Sequence, residues 1–180
     1  VTGGSGLAIG LARQWAQENG NQARKAGHPL AGRGVVLSGS CSQMTNRQVA
    51  HSRQIAPARE VDVARCLSLE PMSAYAHELA EWVLGQESVL APLVFATAST
   101  DALAAIQQQY GAHKASQAVE TLFSQLAARL AAEGVTRFIV AGGETSGVVT
   151  QSLGIKGFHI GPTISPGVPW VNALDKPVSL

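Results

Sequence analysis

Apolar positions along the chain switch repeatedly between helical and strand-like spacing. Leu7, Leu11 and Trp15 fall on one face of a helix predicted from Ser5 to about Glu18. Gly34-Val35-Val36-Leu37 reads as a short buried strand. Thr45 to Ile55 reads as a helix closed by Pro57, and Glu60 to Val63 as a short strand or extended link. A helix is expected from Pro71, a residue suited to a first turn, to about Gly85. Leu93-Val94-Phe95-Ala96 is a second buried strand, and Asp101 to Tyr110 a helix with Ser99 or Thr100 as cap. The alanine-rich stretch from Ala115 to Glu133 predicts a helix that ends before Gly134. Arg137 to Ala141 is a third strand, and Thr145 to Leu153 a helix ending at Gly154. From Phe158 onward, glycines and prolines break the chain into turns and short antiparallel strands.

Short apolar strands separated by helices imply a parallel sheet covered on both faces. The expected fold class is α/β: a three-layer sandwich with a mostly parallel sheet and short antiparallel strands near the C-terminus. Residues 1–180 form one domain on this pattern, with no internal repeat and no low-complexity linker. Trp15, Trp82 and Trp170 read as core anchors, with Trp170 also able to line a pocket.

Composition agrees with a packed domain, because 46% of residues are hydrophobic and 14% charged. A net charge of +1 argues against a nucleic-acid partner, which would call for a clear basic excess. The sequence has no apolar run of bilayer length and no signal-peptide pattern, so a cytoplasmic setting is expected and no membrane partner. Cys41 and Cys66 match neither a metal spacing nor a disulfide framework. Val1 leads directly into a glycine loop, and Val178-Ser179-Leu180 reads as a strand in progress. Both ends are therefore expected to be cut from a longer protein.

Open parallel sheets bind ligands beyond the carboxyl ends of their strands. There this chain has Ser38-Gly39-Ser40-Cys41-Ser42, Thr97-Ala98-Ser99-Thr100-Asp101 and Gly142-Gly143-Glu144-Thr145-Ser146-Gly147. Thr2-Gly3-Gly4-Ser5-Gly6 precedes a helix in the same manner. Glycine lets a backbone approach an anion, hydroxyls add donors, and each following helix offers unpaired N–H groups. Any one such loop is a tight turn or cap by default; several at one sheet edge would cradle phosphates. None has the lysine-bearing P-loop pattern or a dinucleotide fingerprint. Glu144 is placed either to orient a Mg²⁺ shell or ribose hydroxyl, or to stabilise its helix dipole. Asp101 reads first as a helix start and second as a metal ligand; Cys41 has no evident base partner, and the five histidines are scattered.

Taken in order, Gly-Gly-Ser-Gly-Leu-Ala at 3–8, Ser-Gly-Ser-Cys-Ser at 38–42, Ala-Gly-Gly-Glu-Thr-Ser-Gly at 141–147 and Gly-Pro-Thr-Ile-Ser-Pro-Gly-Val-Pro-Trp at 161–170 resemble the four-carbon acid sugar kinase family. The 3-oxo-tetronate kinase branch is the nearest match, with threonate and erythronate kinases as relatives. The resemblance implies two α/β domains, of which this chain is the carboxy-terminal, nucleotide-binding one. Carried over by position, it implies that Ser40 contacts ATP and that Gly142, Gly143, Glu144 and Thr145 wrap its phosphates. It implies Mg²⁺ as a cofactor with unassigned ligands. The family's further Lys-Ser-Gly-Asn-Phe-Gly motif is not in this sequence. The sugar acid and the catalytic base are expected on the substrate-binding domain, so the fragment alone is expected to be inactive. A homo-oligomer is compatible with the apolar composition.

Two other functions fit weaker signals. A non-catalytic module could use the same loops to sense a nucleotide or phosphometabolite. A nicotinamide-dependent dehydrogenase domain is disfavoured, because the glycine loops lack the required spacing and following acid.

Overall fold

The computed structural model describes residues 5–20, 28–68, 71–96 and 111–180. Helix α1 (Ser5–Asn19) is followed by β1 (Gly34–Ser38), α2 (Gln43–Ile55), β2 (Ala58–Glu60), the single turn α3 (Val63–Cys66) and α4 (Met72–Leu84). Then come β3 (Leu93–Phe95), α5 (Ala112–Ala132), β4 (Arg137–Ala141), α6 (Gly143–Ser152), β5 (Phe158–Ser165) and β6 (Val168–Ala173). The helix expected from Asp101 to Tyr110 lies outside the described residues.

Four strands pair in parallel in the order β2-β3-β1-β4. Strands β5 and β6 form an antiparallel hairpin. Residues 178–180 join the two parts. Ser179 bridges to Arg137 in parallel and to Asn172 in antiparallel fashion. The Phe138 amide donates to the Ser179 carbonyl at 2.9 Å, and Leu180 and Val171 exchange two bonds of 2.8 Å. Ser179 is fully buried, and its hydroxyl donates to Asn172 Oδ1 at 2.7 Å while accepting from the Leu30 amide at 3.0 Å.

The strands are short and apolar because both faces are covered. Val35 and Leu37 of β1, Val94 of β3 and Phe138 of β4 pack with α4, α5 and α6 on one face. Leu93 and Phe95 of β3, with Val36, pack against Val49 of α2 on the other. That makes three layers with β1 and β3 central. Phe123, Leu122, Leu126 and Leu130 of α5 are completely buried, so the alanine-rich helix is the main apolar slab. It stops where Val135 donates back to the Leu130 carbonyl at 2.9 Å, just beyond Gly134.

Two expectations are corrected. Where Glu60 to Val63 was expected as a short strand or extended link, the strand is Ala58–Glu60, residues 61–62 are the link, and a helix starts at Val63. It is an edge strand without an apolar run, so its sequence carries little strand signal. Arg59 pairs with Glu78 and lies over Trp82, while Asp62 caps α3 by accepting from the Arg65 amide at 3.1 Å. Trp15 is also no core anchor: it is 71% exposed, and Leu7 and Leu11 beside it on α1 are exposed too. Trp82 and Trp170 are half-buried.

Candidate nucleotide site at the carboxyl edge of the sheet

β1 and β4 are parallel neighbours that end level, with Ser38 opposite Ala141. Their loops therefore leave the sheet side by side. The amides of Gly39 and Ser40 both donate to the Ala141 carbonyl, at 3.0 and 3.2 Å. Each loop turns at once into a helix. The first backbone bonds there are Asn46 N–H to Ser42 O at 2.9 Å and Ser146 N–H to Gly142 O at 2.8 Å. The amides of Gly143, Glu144 and Thr145 precede that first turn and have no carbonyl one turn back. Two helix amino ends, α2 and α6, thus meet at one edge and bring their positive dipole ends with them. β3 ends at the same level, with Phe95 opposite Ser38 and the Ala96 amide donating to Ser38 O at 2.8 Å. The loop that follows it, Thr97 to Asp101, lies outside the described residues, as does the Gly3-Gly4 segment.

A hydroxyl chain fixes the first loop. Ser42 caps α2 by accepting from the Thr45 amide at 3.1 Å. Its own hydroxyl donates to Thr45 Oγ1 at 2.9 Å, and Thr45 donates onward to Ser40 Oγ at 3.2 Å. Ser40 Oγ also accepts from the Ser42 amide at 3.3 Å. Two lone pairs of Ser40 Oγ are thereby engaged, which fixes the side chain in the loop. Asn46 Nδ2 closes the turn on the carbonyls of Cys41 and Ser42, both at 3.2 Å.

The second loop is shaped by Gly142, at φ 125°. A Cβ there would stand 3.0 Å from Thr145 Oγ1 and 3.3 Å from the Ser40 amide. A side chain would fill the cleft between the loops and strain the backbone. The Ser146 hydroxyl donates to the Gly142 carbonyl at 2.7 Å and holds the turn closed.

All five residues expected to bind nucleotide lie at this edge. Ser40 and Gly142 are half-buried, and Gly143 and Glu144 are exposed. Thr145 is buried, with its hydroxyl directed at Gly39 and its amide in the first turn of α6. Glu144 is the one acid of that turn. Ser42, Thr45 and Ser146 also shape the site. The Ser-x-x-Thr spacing at 42–45 was the available sign, since it is cap spacing. Cys41 is exposed and Cys66 buried. Among the described residues no cluster of three or more His, Cys, Asp and Glu could hold a metal ion. No helix there is long and apolar enough to cross a membrane.

Backbone amides and two helix amino ends around a glycine-lined gap fit a chain of phosphates. Glu144, the acid of the first turn of α6, suits a bridging divalent cation better than it suits a bare anion.

Comparison with known proteins points the same way. The family model of the nucleotide-binding C-terminal domain matches residues 35–180. The chain is 96% identical over 166 residues to the 3-oxo-tetronate kinase of Escherichia coli K12, spanning 92% of this chain and 43% of that protein. It is 77% identical over its whole length to the Salmonella typhimurium LT2 enzyme of the same name, again 43% of that protein. A crystal structure of a Haemophilus influenzae protein superposes at TM-score 0.87 with 48% identity, covering all of this chain and 43% of the other. Another, from Salmonella typhimurium LT2 and named for a tRNA synthase, superposes at TM-score 0.91 with 75% identity over all of this chain and 42% of the other. The chain thus spans under half the length of the curated relatives it matches. It belongs to the family of nucleotide-binding C-terminal domains, and within it to the 3-oxo-tetronate kinase branch of the four-carbon acid sugar kinases.

Proposed function

We propose that this chain is the ATP-holding part of a sugar-acid kinase. The observation that carries the reading is the shared Ala141 carbonyl, which ties the loops after β1 and β4 together and aims two helix amino ends at one gap. Ser40 would contact the nucleotide. The amides of Gly143, Glu144 and Thr145, beside the opening kept by Gly142, would wrap the phosphates. Bound Mg²⁺ would neutralise phosphate charge, and Glu144 is a carboxylate suited to its shell.

The reaction proposed for the whole protein is transfer of the γ-phosphoryl group of ATP to the terminal hydroxyl of a four-carbon sugar acid. A 3-oxo-tetronate is the substrate suggested by the relatives' names. The sugar acid and its base would be held by the part of the longer relatives that this chain does not span. Closure of that part over the loops would exclude water from the phosphates. Residues 178–180 run parallel to β4 with Ser179 opposite Arg137. A strand continued in that register would reach the level of Ala141 about three residues after Leu180. It would bring the family's Lys-Ser-Gly-Asn-Phe-Gly motif to the same edge.

Calorimetric titration with ATP and Mg²⁺, with NAD as control, tests the reading. We expect ATP binding by this chain, tighter in the full-length kinase, and sugar-acid phosphorylation by the latter alone. Binding of NAD in place of ATP would overturn the kinase assignment. ATP binding without phosphorylation by the full-length protein would favour a nucleotide sensor.

A further inference from the structure

We infer that Thr145 is a positioning residue: its buried side chain sets the spacing between the two phosphate loops and does not itself touch the nucleotide. The inference deepens the ATP-site reading and rests on it. Thr145 is 5% exposed, although its neighbours Gly143 and Glu144 are open to solvent. Its hydroxyl occupies the space that a Cβ on Gly39 would need, well inside van der Waals contact. The same oxygen stands 3.0 Å from where a Cβ on Gly142 would sit. One side chain on α6 therefore fills the side-chain space of a glycine in each loop. Gly39 belongs to the first loop and hangs on the Ala141 carbonyl at 3.0 Å; Gly142 opens the second.

The arrangement is a key in two slots. Phe123 of α5 lies 3.4 Å from the position of a Gly39 Cβ, so Gly39 cannot move inward to accept a larger residue. Phe123 is completely buried, and Thr145 stands on α6, whose Val149 lies in the same core cluster, so the key is carried by a helix of the packed core. Removing the hydroxyl and methyl would let the loops drift by fractions of an ångström. That matters little for folding but much for amides that must meet phosphate oxygens at hydrogen-bond distance.

The test is a double-mutant cycle on the full chain with Gly39→Ala, Thr145→Ala, the double variant, and Thr145→Ser as the conservative control. Mg²⁺-ATP affinity, thermal unfolding and amide exchange at Gly39, Ser40 and Gly142 are measured for each. We expect Gly39→Ala to weaken Mg²⁺-ATP binding by about tenfold or more. The double variant should bind and melt better than Gly39→Ala alone, because the space needed by the new methyl has been vacated. Thr145→Ala should speed exchange at the three amides and weaken binding with little change in melting, and Thr145→Ser should restore both. Additive effects of Gly39→Ala and Thr145→Ala would overturn the key, as would a Thr145→Ser variant no better than Thr145→Ala. If the unaltered chain binds no Mg²⁺-ATP, the nucleotide reading fails. Exchange and melting would then still decide the coupling between Gly39 and Thr145.

Discussion

Gly39 donates its amide to the carbonyl of Ala141 at 3.0 Å, so the last residue of β4 holds the first loop residue after β1. This bond is a natural continuation of the parallel ladder, in which Ser38 faces Ala141. It makes the two loops one surface, so a change in either should be felt at the other.

Gly142→Ala tests that surface from the second loop. The residue sits at φ 125°, where an L side chain is strained, and its Cβ would crowd the Ser40 amide at 3.3 Å. We expect a loss of about 1–3 kcal/mol in chemical denaturation. Mg²⁺-ATP binding should weaken further than that loss of stability explains, because the methyl would project between the loops. Gly143→Ala, which meets nothing within 4 Å, is the comparison and should fold normally.

Ser42→Ala removes the cap of α2 and the first donor of the hydroxyl chain to Ser40. The cap alone is worth about 1 kcal/mol. Thr45, buried beneath it, would lose the acceptor of its amide and the donor to its hydroxyl, and keep only the bond it donates to Ser40. We expect a lowered melting temperature and faster amide exchange at Thr45. Ser42→Asp should recover most of the stability, since a carboxylate caps equally well.

Much of this site was legible in the sequence, for a physical reason. Val35, Leu37, Leu93 to Phe95 and Phe138 announce strands buried on both faces, and glycine with serine after such strands places the loops. β2 was harder to read because Ala58-Arg59-Glu60 lies at the sheet edge, where Arg59 serves Glu78 and Trp82 instead of a core. Trp15 misled because helical spacing reports amphipathicity and not what covers the apolar face. Thr145 was recognisable as part of a loop, but its inward direction depends on where Gly39 comes to lie, more than a hundred residues away. No local pattern encodes that.

Glu78 ties Arg59 of β2 and Arg65 of α3 to α4, with the Arg65 bond at 2.9 Å. Hydrogen bonding from Arg65, opposed by burial and aided by the charges of Arg65 and Arg59, holds its carboxyl below the usual range. A folded-state pKa below the unfolded one stabilises above the unfolded value and loses that stability as pH falls through the folded one. Wild type should therefore lose more stability than Glu78→Gln between about pH 5 and pH 3. The difference should be modest and shrink with added salt, because the Glu78 side chain is 41% exposed. Denaturation midpoints of both proteins across that range provide the check.

The two cysteines should separate cleanly in a labelling experiment. Burial, and then the charge of Asp62, push the Cys66 thiol up to about 11. At pH 8 its thiolate fraction would be on the order of one in a thousand, and its sulfur is enclosed besides. Cys41 is exposed in the first loop. We expect one fast-reacting thiol per native chain and a second only on unfolding. Mg²⁺-ATP should slow the first reaction, since Cys41 follows Ser40 directly.

Glu144 decides whether the second loop handles a metal. It stands in the first turn of α6, exposed, beside the amides proposed to wrap the phosphates. Near bare phosphates a carboxylate repels; with a divalent cation between them it attracts. A metal role and a helix-dipole role for Glu144 therefore predict different responses to Mg²⁺. If it serves Mg²⁺, Glu144→Gln should bind metal-free ATP as well as wild type or better, and Mg²⁺-ATP less well. If it serves only the helix dipole, the substitution should cost a few tenths of a kcal/mol of stability and leave the response to Mg²⁺ unchanged. We expect the first pattern, because the acid sits where the loop opens and not where it packs. Calorimetry of both proteins with ATP, with and without Mg²⁺, reads that response directly. An unchanged ratio of the two affinities in Glu144→Gln would remove the residue from the metal shell and leave the backbone amides as the main phosphate donors.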